Sequence, residues 1–204
     1  NGPIGSGKDT LGELLQQRLG GTLQQFKEQL YVHTAEFFGV DLDWFKIMAT
    51  DRVVKEIPLG QLMLPPVEYS NLMIYLNEPY EYPSGFGAMV SPRQAMIFVS
   101  ELIYKPKEGD DYFGVKAAEN MCEGNNWVTD SGFKEEAVVQ VNTFGAENVF
   151  LVKISREGCS FEGDSRSYIS LDEYGVATLE LDNNYTLEDA VRTVADWLYT
   201  QVGV

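Results

Sequence analysis

The first ten residues constrain the fold most. Gly2-Pro3-Ile4-Gly5-Ser6-Gly7-Lys8 has the spacing Gly-x4-Gly-Lys, and Asp9 and Thr10 follow. Behind it Leu11, Leu14, Leu15 and Leu19 recur at helical spacing, and Gly20-Gly21 stops the run. A glycine-rich turn feeding a helix lets successive backbone N–H groups converge on an anion with no Cβ in the way. The N-terminal dipole of the helix faces the same point. The pattern is that of a phosphate-binding loop. Gly2, Gly5, Ser6, Gly7, Lys8, Asp9 and Thr10 are therefore candidate phosphate contacts, with Lys8 as the mobile positive charge. A turn that merely caps a helix is the plain alternative. The strict motif ends in a Ser or Thr whose hydroxyl ligates Mg²⁺. Asp9 holds that place here and Thr10 is one further on, so both are candidate Mg²⁺ contacts. Such a loop follows a buried strand, yet only Asn1 precedes Gly2; the expectation is that an apolar N-terminal strand lies out of view.

Length and composition suit one α/β domain of 204 residues, 44% of them hydrophobic. The formal net charge of −16 argues against binding polymeric nucleic acid, whose phosphates would be repelled. A small anionic ligand is still compatible, provided some of the 15 Lys and Arg gather locally. Lys8, Arg52, Lys55, Arg93, Arg156 and Arg166 lie in segments with other signals. No apolar run reaches the length of a membrane span. Cys122 and Cys159 are too few for a disulfide framework, so a reduced cytoplasmic setting is expected.

Further along, Phe26 leads into a helix that Gly39 stops, with His33 alone on it and expected to be structural. Asp51-Arg52-Val53-Val54-Lys55-Glu56 is a charged cluster, read either as a solvated helix face or as part of a site. Residues 59–87 carry prolines and tyrosines without clear periodicity and are expected to form an irregular insert or flap. Ser91-Pro92 starts a helix sharply. Arg93 in its first turn opposes the helix dipole, and a bound anion would explain it. Asn126 to Asp130 reads as a short strand ending in an acid; Asp130 either serves a site beyond the strand end or caps the helix that follows. A continuous apolar run from Asn148 to Ile154 predicts a buried parallel strand. After it, Arg156 and Arg166 lie in a Gly- and Ser-rich stretch, Ser155 to Ser167, as a lid over a transferring phosphoryl group would require. Val176 to Leu181 alternates as a strand, Asp182-Asn183-Asn184 turns the chain, and Thr186 caps a final amphipathic helix.

Together these segments resemble the bacteriophage-type deoxynucleoside monophosphate kinases, a P-loop nucleoside monophosphate kinase family. The likeness rests on Gly5-Ser6-Gly7-Lys8-Asp9-Thr10, Phe26 to Leu30, Asp51-Arg52 with Lys55-Glu56, Ser91-Pro92-Arg93, Asp130 with Phe133, Glu135 and Glu136, the Arg156 and Asp164 segment, and Asn183-Asn184. It implies a three-layer α/β/α P-loop sandwich with a parallel sheet. The whole chain, 1–204, would be one kinase domain with an acceptor-binding insert at about 40–120 and a lid at about 155–170. It implies transfer of the γ-phosphoryl of ATP to a deoxynucleoside monophosphate, with Mg²⁺. Lys8, Arg156, Arg166 and Asp130 would be catalytic; Arg52, Lys55 and Arg93 would hold the acceptor. The partners would be small-molecule nucleotides, with no membrane and with a homodimer allowed, in the host cytoplasm. The chain departs from the family at Gly132, where an arginine is common, at the lid run Arg166-Ser167-Tyr168-Ile169, and at Tyr31. Two other readings stay open: a P-loop kinase acting on another small phosphorylated metabolite, and a nucleotide-binding protein without transfer.

Overall fold

A computed structural model of the chain describes residues 1–83, 85–163 and 166–203. In chain order the elements are α1 (Lys8–Leu19), β1 (Thr22–Gln24), α2 (Lys27–Phe38), α3 (Leu42–Thr50), β2 (Leu59–Leu64), α4 (Pro66–Leu76), β3 (Ala88–Val90), α5 (Pro92–Ile97), α6 (Lys105–Glu108), α7 (Tyr112–Glu119), β4 (Asn126–Val128), α8 (Lys134–Phe144), β5 (Phe150–Ser155), β6 (Ala177–Asp182) and α9 (Leu187–Val202). The chain is mixed α/β, with two short parallel strand pairs and one antiparallel pair among the described residues. It divides into two compact units, one made of Asn1–Lys27 and Phe113–Val204, the other of Glu28–Tyr112. Among the described residues no helix is long and apolar enough to cross a membrane.

In the first unit β5 and β6 run parallel, from Phe150 opposite Ala177 to Ser155 opposite Asp182. Asn1 adds to the free edge of β5: its backbone nitrogen donates to Val152 O, and its carbonyl accepts from Ile154 N, each at 2.8 Å. That is parallel-strand bonding. Side chains alternate across a strand, so residues an odd number apart face opposite ways. Leu151, with Val176, meets Ala137 and Val141 of α8. Ile154 and Leu181 meet Leu11 and Leu15 of α1 and Ala190, Val191 and Val194 of α9. Helices thus cover both faces of the pair. Each of these buried Leu, Ile and Val side chains stabilises by about 1.5–3 kcal/mol relative to exposure. The second parallel pair, β1 with β4, starts with Thr22 opposite Asn126. α1 lies close against it because Gly12 has no side chain: a Cβ there would overlap Thr129 Cγ2 and stand 3.3 Å from Leu23 Cδ2.

The second unit has its own core, with Phe45, Leu62, Leu64, Leu72, Val90 and Val99 fully buried. Residues 59–76 are not irregular as expected, whereas 77–83 and 85–87 carry no helix or strand. The first stretch holds β2, which pairs antiparallel with β3, and α4. The strand shows a period of two, with Leu62 and Leu64 buried and Gln61 and Met63 exposed. Pro65 and Pro66 do not break structure here; Pro66 opens α4, where a missing N–H costs nothing. Tyr69 packs edge-on against Tyr80 with ring centroids 6.1 Å apart, whereas Tyr75 and Tyr82 are exposed. Ser84 lies outside the described residues. His33 is tied structurally, with Nε2 2.8 Å from Tyr112 Oη and its ring stacked on Tyr104 at 4.1 Å.

Candidate functional site

The glycine-rich loop has a backbone that ordinary residues would strain. Gly5 and Gly7 have φ of 83° and 94°, in the region that favours glycine. Gly2 is crowded instead: a Cβ would stand 2.6 Å from Ile154 O on β5. Ser6 is wholly buried, and its N–H donates to Pro3 O at 3.3 Å. Lys8 folds its ammonium back over the loop, donating to Gly2 O and Pro3 O at 2.7 Å each. α1 then starts with no side-chain cap at Gly7, and Leu11 N–H bonds back to Gly7 O at 2.9 Å. The first turn of an α-helix has amides with no intrahelical partner. A loop with this geometry, a helix start and an adjacent ammonium can hold an anion.

Asp9 and Thr10 are exposed on the first turn of α1, and neither side chain makes a hydrogen bond or ion pair among the described residues. No group of three His, Cys, Asp or Glu able to hold a metal occurs among those residues. One carboxylate and one hydroxyl suit a Mg²⁺ that keeps most of its waters and takes its remaining ligands from phosphates. They do not make a protein-only metal cage.

Asp130 does not cap the helix after it, because α8 has Phe133 at its N-cap position and no side-chain cap. Its carboxylate instead accepts from Phe26 N–H at 2.9 Å and Lys27 N–H at 3.2 Å, where α2 begins. Burial pushes the Asp130 carboxyl above its ordinary value, while the Lys27 charge and these N–H groups pull it down. Arg156, exposed just beyond β5, reaches Gly5 O with Nη1 at 3.5 Å. Arg166 lays its aliphatic stem over Gly132, where a Cβ would overlap Arg166 Cδ. Asp164 and Ser165 lie outside the described residues. The chain after them is held at several points. Tyr168 Oη donates to Ile154 O at 2.9 Å. The Asn1 side chain donates to Ser131 O at 2.8 Å and Ser167 O at 3.3 Å, and accepts from Ile169 N–H at 3.2 Å.

The expected acceptor-side residues belong to the second unit. Asp51 accepts from Val53 N–H and Val54 N–H, both at 2.8 Å, and so shapes the short 3₁₀ turn Val54–Glu56. These two bonds lower the Asp51 carboxyl from its ordinary value. Glu56 Oε1 stands 2.9 Å from Arg93 Nε and 3.9 Å from Lys55 Nζ. The structure therefore brings Lys55 and Arg93 together on one carboxylate. The ion pair with Glu56 gives Arg93 a structural reason to sit at a helix start, where the sequence left a bound anion or a plain surface charge as the readings. The Ser91 cap is as expected, completed by Gln94 as a capping box. Arg52 is exposed and forms no ion pair among the described residues.

Sequence reasoning missed two residues of the loop's surroundings. Gly12 looked like an ordinary helix position, with no local signal for its contact with Thr129. Asn183 looked like a turn residue, yet it is buried against the loop, donating from Nδ2 to Ser6 O at 2.7 Å. Compared with known proteins, the chain matches no family model and no curated protein.

Proposed function

We propose that this chain is a P-loop kinase that transfers the γ-phosphoryl of ATP to a deoxynucleoside monophosphate, in a three-layer α/β/α P-loop fold with a lid. The observation that carries the reading is the loop from Gly2 to Lys8. Its glycines hold positive φ at Gly5 and Gly7, and it leads into an uncapped helix with the Lys8 ammonium directly over its carbonyls. On this reading the loop amides hold the donor phosphates, and Lys8 exchanges Gly2 O and Pro3 O for phosphate oxygens. An oxygen of the acceptor phosphate attacks the γ-phosphorus, the bond to the β-phosphate oxygen breaks, and ADP leaves with that electron pair. Arg156 and Arg166 offset the charge on the transferring group. Arg52, Lys55 and Arg93 hold the acceptor, whose phosphate takes the place of Glu56 on the two paired cations. Mg²⁺ bound to the phosphates would take Asp9 or Thr10 as a protein or water-mediated contact and supply charge neutralisation.

A second reading, nucleotide binding without transfer, has one observation in its favour. Asp130 accepts from the Phe26 and Lys27 amides, a structural task that a binding protein without transfer would equally need. A coupled assay of ADP formation from ATP and Mg²⁺ with each of the four deoxynucleoside monophosphates separates the two. Turnover with at least one is expected. No turnover with any, alongside measurable ATP binding, would overturn the deoxynucleoside monophosphate kinase reading.

A further inference from the structure

We propose that Asn183 is a positioning residue for the phosphate loop, holding the Ser6–Gly7 peptide so that the Gly7 N–H is presented to phosphate. The inference rests on the phosphate-loop reading above. Asn183 follows β6 directly, and its backbone N–H donates to Ser155 O at 2.8 Å, which ties it to the end of β5 as well. Its side chain crosses to the loop, where Nδ2 donates to Ser6 O at 2.7 Å in a buried hydrogen bond. A trans peptide carries its C=O and N–H on opposite sides. Drawing the Ser6 carbonyl toward Asn183 therefore turns the Gly7 N–H away from it. The contact also explains the residue at 7 on two counts: φ is 94°, and a Cβ would stand 2.6 Å from Asn183 Nδ2.

This asparagine also carries a cost in stability. Its Oδ1 is buried with no hydrogen-bond partner among the described residues, as is the Oγ of Ser6 beside it. An unpaired buried acceptor is unfavourable, and an apolar side chain would avoid it. An apolar side chain, however, could neither satisfy the buried Ser6 carbonyl nor fix the direction of the Ser6–Gly7 peptide. A flipped peptide would put a carbonyl oxygen where an amide should meet phosphate, converting attraction to repulsion.

The test uses the full chain with ATP and with inorganic tripolyphosphate as probes. Affinity is read by calorimetry and the Gly7 amide by ¹⁵N-edited NMR. Asn183→Asp keeps the shape but offers no donor to Ser6 O; Asn183→Ser removes the donor without adding charge. Lys8→Ala is the control for the loop itself. Wild type should bind both probes with a downfield shift of the Gly7 amide proton. Both Asn183 variants should bind about tenfold or more weakly, on the scale of losing one aligned donor, and lose that shift while their other amide resonances remain dispersed. If either variant fails to fold, the other is read alone. If wild type binds and Lys8→Ala does not, while the folded Asn183 variants bind as wild type with the Gly7 shift intact, this inference falls and the loop reading stands. If wild type binds neither probe, both fall.

Discussion

Gly12→Ala tests how closely α1 approaches β4. Two effects oppose each other. Alanine in a helix interior is favoured over glycine by about 0.8–1.0 kcal/mol, so a free surface position would gain stability. Here the added methyl would overlap Thr129 Cγ2 and stand 3.3 Å from Leu23 Cδ2, against an ordinary carbon–carbon contact of about 3.5–4.0 Å. Thr129 is buried, and its hydroxyl accepts from Gln25 Nε2 at 3.4 Å, so it cannot simply swing aside. Overpacking of this kind costs about 1–3 kcal/mol. Because the overlap is with a stiff, β-branched side chain, the upper half of that range applies, and the net loss should be about 1–2 kcal/mol. Urea unfolding followed by tryptophan fluorescence is a suitable assay, since Trp127 on β4 donates to Gly20 O at the end of α1 and reports on this contact. The double variant Gly12→Ala/Thr129→Ser removes the clashing methyl and keeps the hydroxyl. It should recover most of the loss, a coupling seen only between touching residues. An unchanged or raised midpoint for Gly12→Ala, at constant slope, would falsify the close approach.

Three further expectations concern the candidate site. In the proposed reaction the Lys8 charge would act mainly in the transition state, so Lys8→Ala should lower turnover by a factor of about 100 or more while circular dichroism stays native; near-normal rates would remove Lys8 from the chemistry. Arg93→Ala should raise KM for the monophosphate and leave KM for ATP nearly unchanged. Stability should shift by no more than about 1 kcal/mol, as expected for an exposed ion pair such as Arg93–Glu56, and an effect confined to ATP would place Arg93 on the donor side. Asp130 predicts a pH dependence. Its folded carboxyl is raised by burial, so the folded chain keeps this proton to higher pH than the unfolded chain. The stability it contributes is present below the unfolded carboxyl value, about 3.9, and is lost as pH rises through the folded one. Wild type should therefore lose stability relative to Asp130→Asn across that interval; a constant difference would show that the Lys27 charge and the amides cancel burial, and one of opposite sign that they outweigh it.

What the sequence alone determined is local. The spacing from Gly2 to Lys8, with leucines behind it, specifies a loop and a helix because 3.6-residue periodicity and glycine's freedom are properties of neighbouring residues. The same holds for Thr186 as the cap of α9, whose side chain accepts from Asp189 N–H, and for Ser91-Pro92 at α5. The strand 148–154 was legible as an apolar run, and β5 is found at Phe150–Ser155. β2 and α4 were misread because two prolines masked a period of two and a helix start. Tertiary structure alone decided where the remaining polar groups went. Arg93 meets Glu56, 37 positions before it, and Asp130 meets amides 103 and 104 positions away. Asn183 reaches Ser6 across 177 positions. A carboxylate or amide has the same sequence signature whether it faces water, a ligand or a distant backbone group. Only the folded chain supplies the partner, and with it the difference between a cap, an ion pair and a buried amide bonded to the glycine-rich loop.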